Sequence, residues 1–374
     1  MPTPPSSVLD AQMMSIALRM AERGLGDTAP NPSVGAVIVD AATGEVIARA
    51  TTARGGRPHA ETIAIAAAGD RARGATIYVT LEPCSHQGRT GPCADAIIAA
   101  GIQRAVVAIE DPDPRVSGRG LDKLRVAGIE VERGVGAAEA RWLTRGHIVR
   151  ITERRPFVTL KLALDGSGEI ARGDGVSPVW VTGEISRAHG MLLRAHSDAI
   201  LVGSATVRDD DPELTCRLPG LFDRSPVRVV LSKSLDVPAS AKLVRSAADV
   251  PVWFITALPI DRERRKEIAS HSAEIIDAAV VAGQLWLPSV MDALVARGIT
   301  RLLVEGGPII WRAFADAALV DEVILYIAGA PSDGDARNFV VRHLGSPNFE
   351  IIERSTLGTD TMWRLRRVTA KEGR

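Results

Sequence analysis

Short runs of branched aliphatic residues alternate along this chain with longer segments whose apolar residues recur every three or four positions. VGAVIVD (34–40), ATIYVT (75–80) and RAVVAIED (104–111) read as buried strands, with GEVIARA (44–50) as the hairpin partner of the first. Residues 9–23 carry apolar positions at helical spacing, with Asp10 as a candidate N-cap. Residues 59–68 are rich in Ala and Ile and stop at Gly69, which predicts a helix with a C-terminal glycine. A helix over 92–100 opens on a proline, and residues 121–127 followed by IEVERG continue the alternation beyond the turn DPDPRVSGRG.

The charged stretch RGHIVRITERRP (145–156) interrupts this pattern and ends at a proline, which places a domain boundary at 150/151. The pattern then restarts. FVTLKLAL, DAILVG, PVRVVLS, DVPVWFIT, the strand in ITRLLVEGGP and VDEVILYIA read as strands, with helices near 183–195 and 308–316. Strands alternating with helices in both halves predict an α/β protein of two domains, 1–150 and 151–374.

Composition narrows the function classes. Lys plus Arg and Asp plus Glu balance at 45 each, so no basic or acidic face is expected for nucleic acid or charged membrane. No apolar run approaches the length of a membrane span, and no basic-then-apolar segment opens the chain. Three cysteines in 374 residues do not make a disulfide framework. A reducing, cytoplasmic compartment is expected.

Two of those cysteines fall in HAETIAIAAAGDRARGATIYVTLEPCSHQGRTGPC (59–93). A thiol pair, a disulfide and a metal site are the alternatives. A catalytic zinc takes three protein ligands and a water, and His59, Cys84 and Cys93 supply three. The metal would acidify its water, and Glu61 would stay off the metal to move protons, since i and i+2 on a helix do not share a face. His-x-Glu followed by Pro-Cys is the pattern of zinc nucleobase deaminases, although eight residues rather than two separate these cysteines. His86, inside that loop, is a candidate fourth ligand, but a closed site would leave no place for water. A structural zinc site that only stabilises a binding protein is the bland alternative. Cys216 stands alone.

The longer loop fits one branch. NPSVGAVIV, HAE, TLEPCSHQGRTGPC and DPDPRVSGRG together resemble the deaminase half of the bifunctional riboflavin-biosynthesis deaminase/reductases. The resemblance implies a cytidine-deaminase-like α/β/α domain with His59, Cys84 and Cys93 on Zn²⁺ and Glu61 as proton shuttle. It also implies Asn31 and Arg89 at the substrate, and Asp111, Asp113 and the glycines of SGRG in a loop that holds the ribose phosphate. The family often has asparagine at Asp113, where a carboxylate beside a phosphate is unfavourable unless it turns away.

In the second half, LLVEGGP ends a strand in two glycines and opens a helix; its amides could cradle a pyrophosphate, but it is not the G-x-G-x-x-G fingerprint. TLKLAL, LLRAHSDAILVGSATVRDDDPELTCR and LLVEGGPIIWRAF resemble the reductase half of the same family. That implies a dihydrofolate-reductase-like domain using NADPH. Lys161, Ser177, Arg194, Leu214, Arg217 and Glu305 would surround the substrate, and Ala163, Trp180, Thr206, Asp210, Gly307, Pro308 and Ile309 the dinucleotide; Lys233, which the resemblance does not supply, is a separate candidate for the NADPH 2′-phosphate. Without the resemblance, Arg194 could simply favour a helix C-terminus, Trp180 belong to the core and Thr206 cap a helix.

The family tends to have Asp-Gly and a basic residue where LALDGSGEIA places Ser167 and Glu169, and Asp-Ser where VVLSKS places Ser232 and Lys233. The resemblance thus implies an enzyme that deaminates a phosphoribosyl diaminopyrimidine and then reduces its ribosyl chain, with no nucleic-acid or membrane partner and a homo-oligomeric assembly. These departures raise one alternative, an active deaminase whose reductase-like domain has become a scaffold.

Overall fold

The structure is a computed structural model, and it describes residues 6–87, 91–170 and 181–368. The chain separates into two compact units, Met1–Arg155 and Pro156–Arg374.

In the first unit, helix α1 (Ser6–Arg23) precedes the hairpin β1 (Gly35–Val39) and β2 (Val46–Thr51). There follow α2 (Ala60–Ala68), β3 (Thr76–Val79), α3 (Cys93–Ala99), β4 (Arg104–Val107), α4 (Arg119–Val126), β5 (Glu130–Arg133) and α5 (Ala137–Glu153). The strands form one sheet in the order β2-β1-β3-β4-β5, with β1 antiparallel to both neighbours and β3, β4 and β5 parallel. β1 and β3 are buried along their whole length, as expected of sheet strands packed on both faces. The core joins Val37, Ile38, Ile77 and Val106 to Ala64, Ile97 and Met14 from the helices.

Two local expectations change. α1 starts at Ser6, so Asp10 lies inside the helix and does not cap it. Its buried carboxylate accepts two 2.8 Å hydrogen bonds from Arg104 and one from the Tyr78 hydroxyl, so it ties α1 to β3 and β4. The division drawn at 150/151 falls within α5, which continues to Glu153.

The second unit opens with β6 (Phe157–Leu164), α6 (Glu184–Ala195), β7 (Ala199–Gly203), α7 (Ser204–Asp210), β8 (Val227–Leu231), α8 (Lys242–Arg245), β9 (Val252–Thr256), α9 (Arg262–Ala269) and β10 (Glu274–Asp277). A small hairpin, β11 (Val280–Val281) and β12 (Gln284–Leu285), leads to α10 (Leu287–Ala296), β13 (Arg301–Val304) and α11 (Pro308–Asp316). The unit closes with β14 (Glu322–Ala328), α12 (Asp333–Leu344), β15 (Phe349–Leu357) and β16 (Asp360–Arg367). Nine strands form one sheet, ordered β10-β9-β8-β7-β13-β6-β14-β16-β15. It is parallel from β10 to β14, and β16 and β15 add an antiparallel edge. β7 is wholly buried, and β6, β13 and β14 nearly so, which explains why they read as continuous aliphatic runs. Lys161 and Glu305 interrupt or follow those runs, and both belong to the candidate site.

Candidate active sites

The donor cluster of the first unit is assembled from three chain segments. His59 does not lie in the helix predicted for it. It is the N-cap of α2, with extended backbone, and Glu61 sits in the first turn. Cys84 lies in the segment after β3, and Cys93 is the first residue of α3, behind Pro92. The Cys93 N–H donates to Cys84 Sγ at 3.3 Å and the Ala94 N–H to the Cys84 carbonyl at 3.2 Å, so the start of α3 fixes both sulfurs. His59 Nδ1 lies 3.3 Å from Cys93 Sγ and 3.7 Å from Cys84 Sγ.

The three donor atoms all fall within 4.8 Å of one another, and no fourth His, Cys, Asp or Glu among the described residues joins them. Ligands on one tetrahedral zinc stand roughly 3.5–3.8 Å apart at ordinary Zn–N and Zn–S lengths. The set therefore fits zinc, with one coordination position left for water. All three cysteines are free. Hydrogen bonding to Cys93 first, and then, against burial, to His59, pushes the Cys84 thiol down to about 4, toward the thiolate a metal needs.

Glu61 is outside the donor set and is 3% exposed. Its Oε2 is buried with no hydrogen-bond partner. Burial pushes this carboxyl up, with the nearby His59 charge opposing. An acceptor left unpaired beside a metal-donor cluster is costly unless a ligand meets it. Asn31 donates from Nδ2 to the Gly56 carbonyl at 2.7 Å and lies 3.5 Å from His59 Nε2. A cleft of about 150 Å³ is lined by His59, Glu61, Cys84, Asn31, His86 and Asp111, among others. His86 thus faces the cleft without joining the donors.

The turn carrying Asp111 and Asp113 is organised by a residue that the sequence did not single out. Glu82, 3% exposed, accepts from the N–H groups of Asp111 (3.2 Å), Gly118 (2.9 Å) and Gly120 (2.8 Å). One carboxylate next to Pro83-Cys84 therefore anchors the whole 111–120 turn to the metal loop. Gly120 is required by the close approach: a Cβ there would stand 2.1 Å from the Pro83 carbonyl. Asp113 does turn to a partner. Both its oxygens accept from Arg115 Nε at 3.0 Å, and this guanidinium, ahead of the opposing burial, holds the carboxyl down at about 2.

The second unit gathers charge rather than nucleophiles. Glu305, just beyond β13, receives two 2.8 Å hydrogen bonds from Nε and Nη2 of Arg194 in the last turn of α6. A third Arg194 bond, from Nη1 to the Thr215 carbonyl at 2.9 Å, draws in the irregular segment next to buried Leu214. Lys161 lies over the Tyr326 ring, 5.9 Å from its centroid, and feels both Glu305 and Arg194. Burial depresses the Lys161 ammonium, and Glu305 offsets part of this. Burial alone would raise Glu305, but Arg194 and Lys161 outweigh it and hold the carboxyl at about 2. His189 Nδ1 is 2.6 Å from the Tyr326 hydroxyl, beside Ala163 on the neighbouring strand.

The glycine turn lies at the N-terminus of α11, where Gly307 is the N-cap, Pro308 the first residue and Ile309 81% exposed. A Cβ on Gly306 would stand 3.0 Å from Thr206 Oγ1, so Thr206 in α7 sits against this turn. Asp210 ends α7 and is exposed. Exposed Arg217 pairs with Glu213 at 3.4 Å, and exposed Lys233 donates to the Gly283 carbonyl at 2.7 Å.

Comparisons with known proteins decide the family. Residues 7–109 match the cytidine and deoxycytidylate deaminase zinc-binding region, and residues 156–361 match the RibD C-terminal domain. The riboflavin biosynthesis protein RibD of Escherichia coli is 38% identical over 375 residues, which is 95% of this chain and 99% of that protein. That of Aquifex aeolicus is 40% identical over 320 residues, 86% of this chain and 87% of the relative. The chain belongs to the RibD family. Solved structures agree: Acinetobacter baumannii RibD superposes with a TM-score of 0.82 at 32% identity, covering 97% of this chain and 100% of that one. The Thermotoga maritima diaminohydroxyphosphoribosylaminopyrimidine deaminase/5-amino-6-(5-phosphoribosylamino)uracil reductase gives 0.81 at 32% identity, with the same coverage.

As a RibD-family protein, this is a deaminase/reductase of riboflavin biosynthesis, with a cytidine-deaminase-like first domain and a reductase second domain. The comparisons give no support to the alternative of a reductase-like domain that has lost activity. No described helix is long and apolar enough to cross a membrane. The departure at Ser167 and Glu169 has a local explanation: β6 ends at Leu164, and Asp165 Oδ1 accepts from the Ser167 N–H, the Ser167 hydroxyl and the Glu169 N–H. Ser232 accepts from the Asp236 N–H at 2.9 Å and so shapes the turn after β8. Arg89, Ser177 and Trp180 lie outside the described residues.

Proposed function

We propose that the first domain hydrolytically deaminates 2,5-diamino-6-(5-phosphoribosylamino)-pyrimidin-4-one, and that the second reduces the ribosyl chain of the product to ribityl with NADPH. The observation that carries this reading is the three-donor cluster of His59, Cys84 and Cys93 beside a buried carboxylate with one unpaired oxygen. The Thermotoga relative carries the names of both reactions, which supports the choice of substrate.

His59, Cys84 and Cys93 would hold zinc, which would supply an acidified water near neutral pH. Glu61 takes the proton of the attacking water and returns it to the departing exocyclic amine, so a C–O bond replaces a C–N bond and ammonia leaves. Asn31, Arg89 and Asp111 bind the nucleotide and fix the pyrimidine against Glu61. In the second domain a bound NADPH would supply the hydride for C1 of the ribosylamine in its opened imine form, the imine nitrogen taking a proton from solvent. Lys161, Arg194 and Glu305 hold the substrate, with Ser177, Leu214 and Arg217 at its phosphate. Gly307, Pro308 and Ile309, with Ala163, Trp180, Thr206, Asp210 and Lys233, orient the dinucleotide and exclude water. The domains are assigned to 1–155 and 156–374. We also read the protein as a cytoplasmic homo-oligomer, which sedimentation equilibrium tests.

Glu61→Gln decides the first half of this reading. The variant is expected to keep its zinc and lose ammonia release by about 10²–10⁴-fold. Unchanged ammonia release from a zinc-loaded variant would remove Glu61 from the mechanism.

A further inference from the structure

α5 presents a face to the deaminase cleft that carries chemistry assigned to nothing so far. His147, Arg150 and Ile151 all line the cleft, at the i, i+3, i+4 spacing that puts residues on one side of a helix. The His147 side chain is only 10% exposed, and its Nε2 lies 3.1 Å from Asp111 Oδ1. That same oxygen accepts the Asp113 N–H at 2.9 Å. Carboxylate oxygen only accepts, so the facing His147 nitrogen carries the hydrogen. His147 Nδ1 is buried with no partner among the described residues.

The bonds to Asp111 are lopsided. Both fall on Oδ1, and Asp111 is among the residues that line the cleft. Oδ2 is the oxygen left for a ligand. A carboxylate accepts from hydroxyls and repels phosphate. The adjacent Asp113 carboxylate is already occupied by Arg115, so it does not compete for the ligand.

We propose that His147 is a positioning residue of the deaminase: it holds Asp111 so that the free carboxylate oxygen receives a ribose hydroxyl of the substrate. The proposal rests on the deaminase reading above. The ring fixes one oxygen, while Glu82 fixes the backbone of the same residue. Asp111 is thus held by side chain and main chain together. This is the arrangement required of a group whose direction, rather than its reactivity, matters. Phosphate is left to the cations among the residues that line the cleft, Arg57 and Arg150.

The test measures KM and kcat for ammonia release, with zinc per chain, in the wild type, His147→Phe and His147→Gln. Each enzyme receives the phosphoribosyl diaminopyrimidine and its dephosphorylated counterpart. Phe keeps the ring volume and removes the donor; Gln restores an N–H near the Nε2 position. The expected result for His147→Phe is a KM raised about tenfold on both substrates, kcat within about twofold and zinc unchanged. His147→Gln recovers most of that loss. Four results would overturn the proposal: an unchanged KM in His147→Phe, a loss that Gln does not rescue, a loss seen only with the phosphorylated substrate, or a fall in kcat together with zinc. Absence of ammonia release from the zinc-loaded wild type would instead defeat the deaminase reading itself, and this proposal with it.

Discussion

The candidate deaminase site and the candidate reductase site use polar residues in opposite ways. The first brings together an imidazole, two sulfurs and a carboxylate whose second oxygen has no partner. The second pairs its charges with one another: Arg194 spans both oxygens of Glu305, and Lys161 lies close enough to feel both. The first arrangement is incomplete without a metal and a substrate. The second is nearly complete by itself and offers a shaped, charged wall beside a glycine turn. A hydrolytic site must activate water with its own groups, whereas a nicotinamide reductase receives its chemistry with the cofactor and supplies orientation.

The largest separation between the sites is expected from Cys84→Ser. It should abolish zinc binding and ammonia release together, because donors and nucleophile share one place. Oxidation of NADPH by added deaminated intermediate should continue at the wild-type rate. Simultaneous loss of both activities would show that the units are not independent.

Glu305→Gln probes the other site. It removes one member of a buried pair and leaves Arg194 without its carboxylate, at a cost of roughly 3–5 kcal/mol to the second unit. Reduction should fall sharply while deamination persists. The Glu305 carboxyl sits at about 2 against an ordinary 4.5. Its pairing therefore stabilises the fold fully above 4.5 and is lost as pH falls toward 2. Thermal unfolding of the second unit should lose stability across that acid window in the wild type and show a shallower dependence in Glu305→Gln. Equal slopes would contradict the pairing.

A smaller effect is expected from Glu82→Gln, which weakens the acceptor of four backbone N–H groups without touching a donor atom. A loss of about 1–3 kcal/mol, read as a lower melting temperature of the first unit, should accompany a raised deaminase KM. The smallest belongs to Lys233→Ala. The KM for NADPH should rise about threefold with no change for NADH if Lys233 meets the 2′-phosphate. An equal change for both cofactors would restrict Lys233 to its bond with the Gly283 carbonyl.

The same contrast explains what could be read in advance. Zinc demands particular residue types at close quarters, so His59, Glu61, Cys84 and Cys93 were visible as types and spacings within one 35-residue stretch. The aliphatic runs showed the buried strands of both sheets, because burial on both faces leaves little choice of residue, whereas the largely exposed β10, β11, β12 and β15 left no such run, and β16 was not singled out either. Residues that act through distant partners left no local mark. Asp10 resembled a cap, yet its partner Arg104 lies 94 positions away. The Arg194–Glu305 pair spans 111 positions, so the pairing itself was not legible, although both residues had been singled out. Glu82 and His147 were missed for the same reason, although two clues existed. Glu82 is a charge inside an otherwise buried run leading to Pro83-Cys84, and His147 shares a helix face with Arg150. The proposed dinucleotide site was faintest, because backbone amides and a glycine turn can bind without demanding a side-chain type.

The most direct test of two separate chemistries on one chain is chelation, with zinc, ammonia and NADPH followed in the same sample. Starting from the diaminopyrimidine nucleotide, the zinc-loaded protein should release ammonia and then oxidise NADPH. After zinc is removed, both signals from that substrate should vanish, while added deaminated intermediate should still oxidise NADPH at the original rate. Ammonia release that survives complete zinc removal, or an intermediate that is no longer reduced, would contradict the account.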